Sequence, residues 1–177
     1  GLSQFQDVLH DAFDVPPPAT SVLRNQIANS IRPTLTLELG RSFDVSERAH
    51  VRPFVEARAG VETLVRVGFD LTFGDLGRGE LLARDPVSGQ RYRTIGQDWT
   101  GFSTVLGVDV TYVGNSVFFP ENRGPTAAEI RERVRLGVQW QGENDKAVFY
   151  GLTWLGEEFE GQSGSQIVGS ARFNFRF

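Results

Sequence analysis

From Pro33 onward, apolar and polar residues alternate with a period of two. Leu35, Leu37, Leu39 and Phe43 alternate with Thr34, Thr36, Glu38 and Ser42. Val51, Val55, Ala57, Ala59 and Val61 follow against Arg52, Glu56 and Arg58, and Val65 to Phe73 against Arg66, Gly68, Asp70 and Thr72. The pattern returns at Leu106 to Tyr112, at Val134 to Trp140, at Val148 to Trp154 and at Gly169 to Phe177. Successive side chains of a strand point to opposite faces, so this period predicts seven strands, each apolar on one face and polar on the other. Most approach the roughly 9–11 residues of a tilted membrane-spanning strand. Before Pro33 the period differs. Leu2, Phe5, Leu9 and Phe13 are near helical spacing, with Ser3 as a cap and Pro16, Pro17 and Pro18 as the stop, which predicts a short helix over 1–15. A second helical or irregular piece is expected over 21–31. The expected division is an amino-terminal segment, 1–32, and a strand region, 33–177.

Alternation does not say which face meets water. A soluble sandwich or lipocalin-like barrel solvates its polar face, and a membrane barrel encloses it. The polar positions mix Arg52, Glu56, Arg58, Arg66, Asp70, Asp109, Arg133, Arg135, Arg172 and Arg176 with several glycines. Paired charges and small residues suit a crowded lumen. Aromatic residues gather at expected strand ends (Tyr112, Phe118, Phe119, Trp140, Tyr150, Trp154), as in the girdles of membrane barrels. Both features favour an antiparallel outer-membrane β-barrel with the apolar positions facing lipid.

Composition narrows the chemistry. The 177 residues include no Cys, which removes disulfide frameworks and cysteine-ligated zinc. The 18 basic residues comprise Lys146 and 17 arginines spread along the chain, so no nucleic-acid footprint is expected. Mean hydropathy is −0.24, and no apolar run reaches the roughly 18 residues of a transmembrane helix. Barrel strands escape that test because they are only half apolar. Arg131, Arg133 and Arg135 fall on one face, where they are expected to pair with Asp70, Asp109 and Glu56, or to receive phosphates if near the rim. Glu157, Glu158 and Glu160 form an acidic loop cluster that reads as solvated. His50 is expected in an exposed turn over 44–50.

The run Gly68-Phe69-Asp70-Leu71-Thr72-Phe73-Gly74, the segment Arg84-Asp85-Pro86-Val87-Ser88-Gly89-Gln90-Arg91-Tyr92, Gly107-Val108-Asp109 with Tyr112-Val113, Arg131 to Trp140, and the stretch from Phe149 to Gln162 together resemble the lipid A deacylase (LpxR-type) family. The resemblance covers Pro53 to Phe177. It implies an outer-membrane barrel of twelve antiparallel strands, with an active site at the extracellular rim that hydrolyses the acyloxyacyl ester at the 3′ position of lipid A. It further implies a bound calcium ion and a histidine that activates water. Gln6 to His10, with Asn25-Gln26 after the proline break, is similar to the segment that carries the family's catalytic histidine, so His10 is the candidate base. Imidazole suits the role because its ordinary pKa lies near 6.5. The terminal Phe177, preceded by alternating apolar residues, resembles the carboxy-terminal signal read by the barrel-assembly machinery.

The family's amino-terminal Asn-Asp motif has no match here, so the chain is expected to be the carboxy-terminal part of a family member, five strands short of twelve. The alternative is a barrel that is catalytically inactive and serves a structural or partner-binding role. On the first reading the partners are lipid A, or lipopolysaccharide, and outer-membrane lipids. Counting back from a periplasmic Phe177 puts the loops 113–127 and 156–166 outside, together with His10. It puts the long 74–100 connection on the periplasmic side, where a small hairpin around Pro86 to Gly89 would preserve strand parity.

Overall fold

The computed structural model describes residues 31–95, 99–120, 124–143 and 146–175. The main sheet contains β1 (Leu35–Gly40), β2 (Phe43–Ser46), β3 (Ala49–Ala59), β4 (Glu62–Phe73), β7 (Gly101–Ser116), β8 (Ile130–Gln141), β9 (Ala147–Leu155) and β10 (Gln166–Asn174), all antiparallel. Its order is β1-β3-β4-β7-β8-β9-β10, with β2 beside β1 on the same edge of β3. The first expected strand is therefore two short ones, interrupted at Arg41 and Ser42. β5 (Leu81–Arg84) and β6 (Arg91–Ile95) form a separate hairpin. The expected helix over 1–15, all but Ile31 of the piece over 21–31, and the terminal Phe177 lie outside the described residues.

The two faces are inverted relative to a soluble sandwich. Leu37, Val67, Leu136 and Phe173 are 59%, 51%, 50% and 64% exposed, and the apolar positions of all seven rows share that face. The buried face carries Glu56, Arg66, Asp70, Asp109, Thr111, Arg133, Arg135, Gln139 and Thr153. Because the side-chain period is two, each strand commits whole faces at once. Exposed aromatics collect toward one end of the sheet, where Phe102 pairs with Trp140 and where Phe43, Phe73 and Phe173 also lie. Tyr112 and Phe118 are exposed toward the other end, whereas Phe119 and Trp154, also expected in a girdle, are half-buried.

The hairpin fills the polar side of the sheet. Its turn is built by Asp85, whose Oδ1 accepts from the Val87 and Ser88 amides at 3.1 and 2.6 Å and from the Ser88 hydroxyl at 2.8 Å. Arg84 reaches Glu38 on β1 and Asp70 on β4, Gln90 reaches β8 and β9, and Tyr92 lies under Arg172 of β10. In a flat sheet with strands ~4.8 Å apart, β1 and β10 would be separated by about 29 Å. One two-stranded ribbon touches both, so the sheet curls around it. β1 and β10 do not pair with each other, and each has one ladder neighbour among the described residues.

Candidate functional site

The inner face carries a continuous array of charges. Arg135 bridges Asp70, at 2.7 Å, and Asp109, and Arg133 Nε donates to Asp109 at 3.1 Å. Arg66 joins Asp109 to Glu56, at 3.3 and 2.9 Å, while Arg58 donates to Glu56 at 3.0 Å. Arg84 adds Asp70 and Glu38, at 2.8 and 2.6 Å, and Arg52 closes on Glu38 at 2.6 Å. Charges removed from water are tolerable only when paired and hydrogen-bonded, and the guanidinium's five donors let Arg66, Arg84 and Arg135 each serve two carboxylates. The expected pairing of Arg133 and Arg135 with Asp109 and Asp70 is present. Arginines dispersed along the sequence thus converge on one face in the fold.

Two features make the array possible that alternation did not reveal. Phe54 sits on the polar face, with the Arg84 guanidinium 3.8 Å from its ring centroid and that of Arg135 at 6.0 Å, so a ring face shields both cations. Gly107 lies against the Arg135 guanidinium, in space that a Cβ would occupy. Arg84 and Arg91, neighbours across the hairpin, differ. Burial opposes the charge on Arg84, but Asp70 and Glu38 overcome it and raise its pKa. Burial lowers Arg91 to about 10, and the more distant Asp70 compensates only in part.

At the end of the sheet where the β7–β8 and β9–β10 connections emerge, the array opens into a cleft of about 460 Å³. Arg58, Arg66, Arg131 and Arg133 line it, with Pro86 and Val87 of the hairpin tip. A β-bulge on β7 lets Thr63 pair with Asn115 and Leu64 with Val113, skipping Gly114. That extra residue returns Ser116 to the buried face, where its hydroxyl donates to Glu62 at 2.8 Å; Glu62 also accepts from Arg131 at 3.2 Å. The two long connections are tied together: Ala127 bridges Phe159, the Ala128 amide donates to the Glu158 carbonyl at 3.0 Å, and Phe119 packs on Phe159.

His10, the sequence-based candidate for a base, lies outside the described residues. His50 is not in an exposed turn. It belongs to β3, is 2% exposed, and has Nδ1 without a hydrogen-bond partner. The chain reverses within the expected span but in a tight turn at Glu47 and Arg48, so β3 already begins at Ala49 and His50 lies on the covered face. Eight residues of extended strand, about 26 Å, separate it from Arg58 at the cleft. For calcium, no group of three or more His, Asp or Glu side chains converges among the described residues. The network carboxylates are committed to arginines, and Glu157 and Glu160 are exposed, so the described residues do not supply the six to eight oxygens calcium takes. The chain matches no protein-family model, no curated protein and no solved structure.

Proposed function

We propose that this chain forms wall strands of a bacterial outer-membrane β-barrel, with the arginine–carboxylate array and the hairpin inside the lumen. The observation that carries this reading is the inversion of faces. A sheet that exposes Leu37, Val67, Leu136 and Phe173 while burying Asp70, Asp109, Arg133 and Arg135 suits hydrocarbon outside and a polar interior. In that setting the β7–β8 and β9–β10 connections mark the extracellular rim, and the turns at the opposite end face the periplasm. The 74–100 connection starts at the periplasmic end and folds up into the lumen, which accounts for its length. By the same resemblance, β10 belongs to the segment offered to the assembly machinery.

Within that barrel the leading activity is hydrolysis of the 3′-acyloxyacyl ester of lipid A, with His10 as base and calcium as the resemblance implies. Its support is the sequence resemblance, together with a cleft at the rim lined by four arginines and four carboxylates. Mass analysis of lipid A from cells with the native gene, without it, and with His10→Ala tests this. Loss of an ester-linked acyl chain only with the native gene is the expected outcome. An unchanged acyl count in all three contradicts the hydrolase. A second reading, a non-enzymatic barrel, is favoured by one observation: Glu38, Glu56, Asp70 and Asp109 are all bound to arginines, leaving none of these four free to serve as acid or base.

A further inference from the structure

We propose that a groove on the outer face of the sheet seats a lipid whose headgroup carries an ammonium group, with Glu132 as its counter-charge. The proposal rests on the membrane-barrel reading. Among the described residues, the outward positions of the main sheet's strands carry one charged side chain, and it is Glu132. It alternates with the buried Arg133 and Arg135, shares the face of Val134 and Leu136, and is exposed. Although Glu132 also borders the rim cleft, its side chain forms no ion pair there among the described residues. Gly156, beside it on the next strand's exit, leaves the space open: a Cβ there would stand 3.7 Å from the Glu132 Cβ. An acid on a lipid-facing surface is costly unless a counter-charge meets it. Glu132 lies two residues from the first residue of β8, at the rim end, where a headgroup rather than an acyl chain passes.

On the side of Glu132 away from the rim the wall is hollowed. Phe69, Val108, Val134 and Trp154 form one row across β4, β7, β8 and β9. The two valines are shorter than the aromatics at the row's ends, which leaves a depression of about 400 Å³. Phe69 and Trp154 are three strand spacings apart, about 14 Å, which is wide enough for acyl chains to lie between them. The row toward the rim, Val67, Val110 and Glu132, places the acid at the mouth. The row on the other side is Leu71, Leu106, Leu136 and Leu152, whose longer side chains close the depression. An apolar hollow with one acid at its headgroup end selects an amphiphile with a positive end. An anionic lipid would meet Glu132 with like charge. A second copy of this chain offers no cation, since the described outward positions hold this acid alone.

The test is native mass spectrometry of the protein released from nanodiscs that contain phosphatidylethanolamine and phosphatidylglycerol in equal amounts, with matched acyl chains. Retained phosphatidylethanolamine is expected to exceed phosphatidylglycerol about fivefold, the scale of one charge contact at a membrane surface. Glu132→Gln should abolish that preference. Glu47→Gln removes the same charge from the exposed turn at the opposite end and should keep it. Val108→Phe, which fills the floor of the hollow, should lower the amount of phosphatidylethanolamine retained. Equal retention of the two lipids by the native protein, or an unchanged preference in Glu132→Gln, overturns the proposal. A bound protein neighbour or dimer that is lost in Glu132→Gln assigns the groove to a protein and also overturns it. Failure to insert into nanodiscs overturns the barrel reading and this proposal with it, whereas an inserted protein without lipid preference overturns this proposal alone.

Discussion

Arg84, on the hairpin, holds Asp70, on the sheet, through two hydrogen bonds, Nη2 to Oδ2 at 2.8 Å and Nη1 to Oδ1 at 3.4 Å. The pair joins a segment that is not part of the wall to the centre of the charged array. Removing Arg84 leaves Asp70 with Arg135 and a more distant Arg91, and leaves Glu38 with Arg52 alone. Arg84→Gln is expected to destabilise the fold by about 3 kcal/mol, the scale for breaking a buried ion pair on one side. Urea unfolding in lipid vesicles measures it.

Arg91→Gln is expected to behave differently. Burial holds its folded pKa at about 10, below the ordinary guanidinium value, so the native state holds the proton less tightly than the unfolded chain. Above about pH 10, until the unfolded chain's guanidinium also titrates, the unfolded state binds more protons and this group's contribution to stability rises with pH. At neutral pH its charge is therefore a net cost of folding, and a neutral replacement should leave the unfolding midpoint unchanged or raise it. A loss equal to that of Arg84→Gln would contradict the assigned pairing.

The docking of the hairpin depends on the small residues beneath it. Gln90 Nε2 donates to the carbonyls of Leu136 and Leu152 at 3.2 and 3.3 Å, lying across the paired Gly137 and Gly151. A Cβ on Gly151 would stand 2.6 Å from Gln90 Nε2. Gly151→Val should push Gln90 away and loosen the hairpin. Limited trypsin digestion is expected to cut after Arg84 or Arg91 in the variant and to spare both in the native protein.

Charge on the outer face separates a membrane wall from a soluble one. Leu136→Arg should destabilise the protein in bilayers by about 2–4 kcal/mol if the site is near the midplane. Gln139→Ser, on the covered face, should be tolerated within about 1 kcal/mol, since its amide makes only a long hydrogen bond to Gln141 Oε1, at 3.4 Å. Equal effects would argue against lipid contact.

How much of this was legible in the sequence follows from the range of the interactions. Period-two alternation is local, so it placed the seven rows of the main sheet and its two faces within a few residues. It did not show that β1 and β2 are separate strands, because the apolar series runs on through Phe43. The Asp70–Arg135 pair spans 65 residues and depends on the registers of β4, β7 and β8. No spacing rule reaches that far. Phe54 was invisible for another reason: an aromatic on a polar face breaks the pattern, and its role appears only once Arg84 lies above it. The bulge at Gly114 shifts Ser116 to the inner face, against simple alternation. A small hairpin around Pro86 to Gly89 was visible, but its folding onto the sheet's polar side was not.

The chain contains no cysteine, so single nitroxide labels can be placed without background. Labels at Leu136 and Val138, on the outer face, and at Gly137 and Gln139, on the covered face, report which face meets hydrocarbon in a reconstituted bilayer. A lipid-facing exterior requires high collision rates with oxygen and low rates with a water-soluble nickel chelate at 136 and 138, with oxygen access falling at 137 and 139. Ready access of the nickel chelate to 136 and 138 would place that face in water and contradict the membrane barrel.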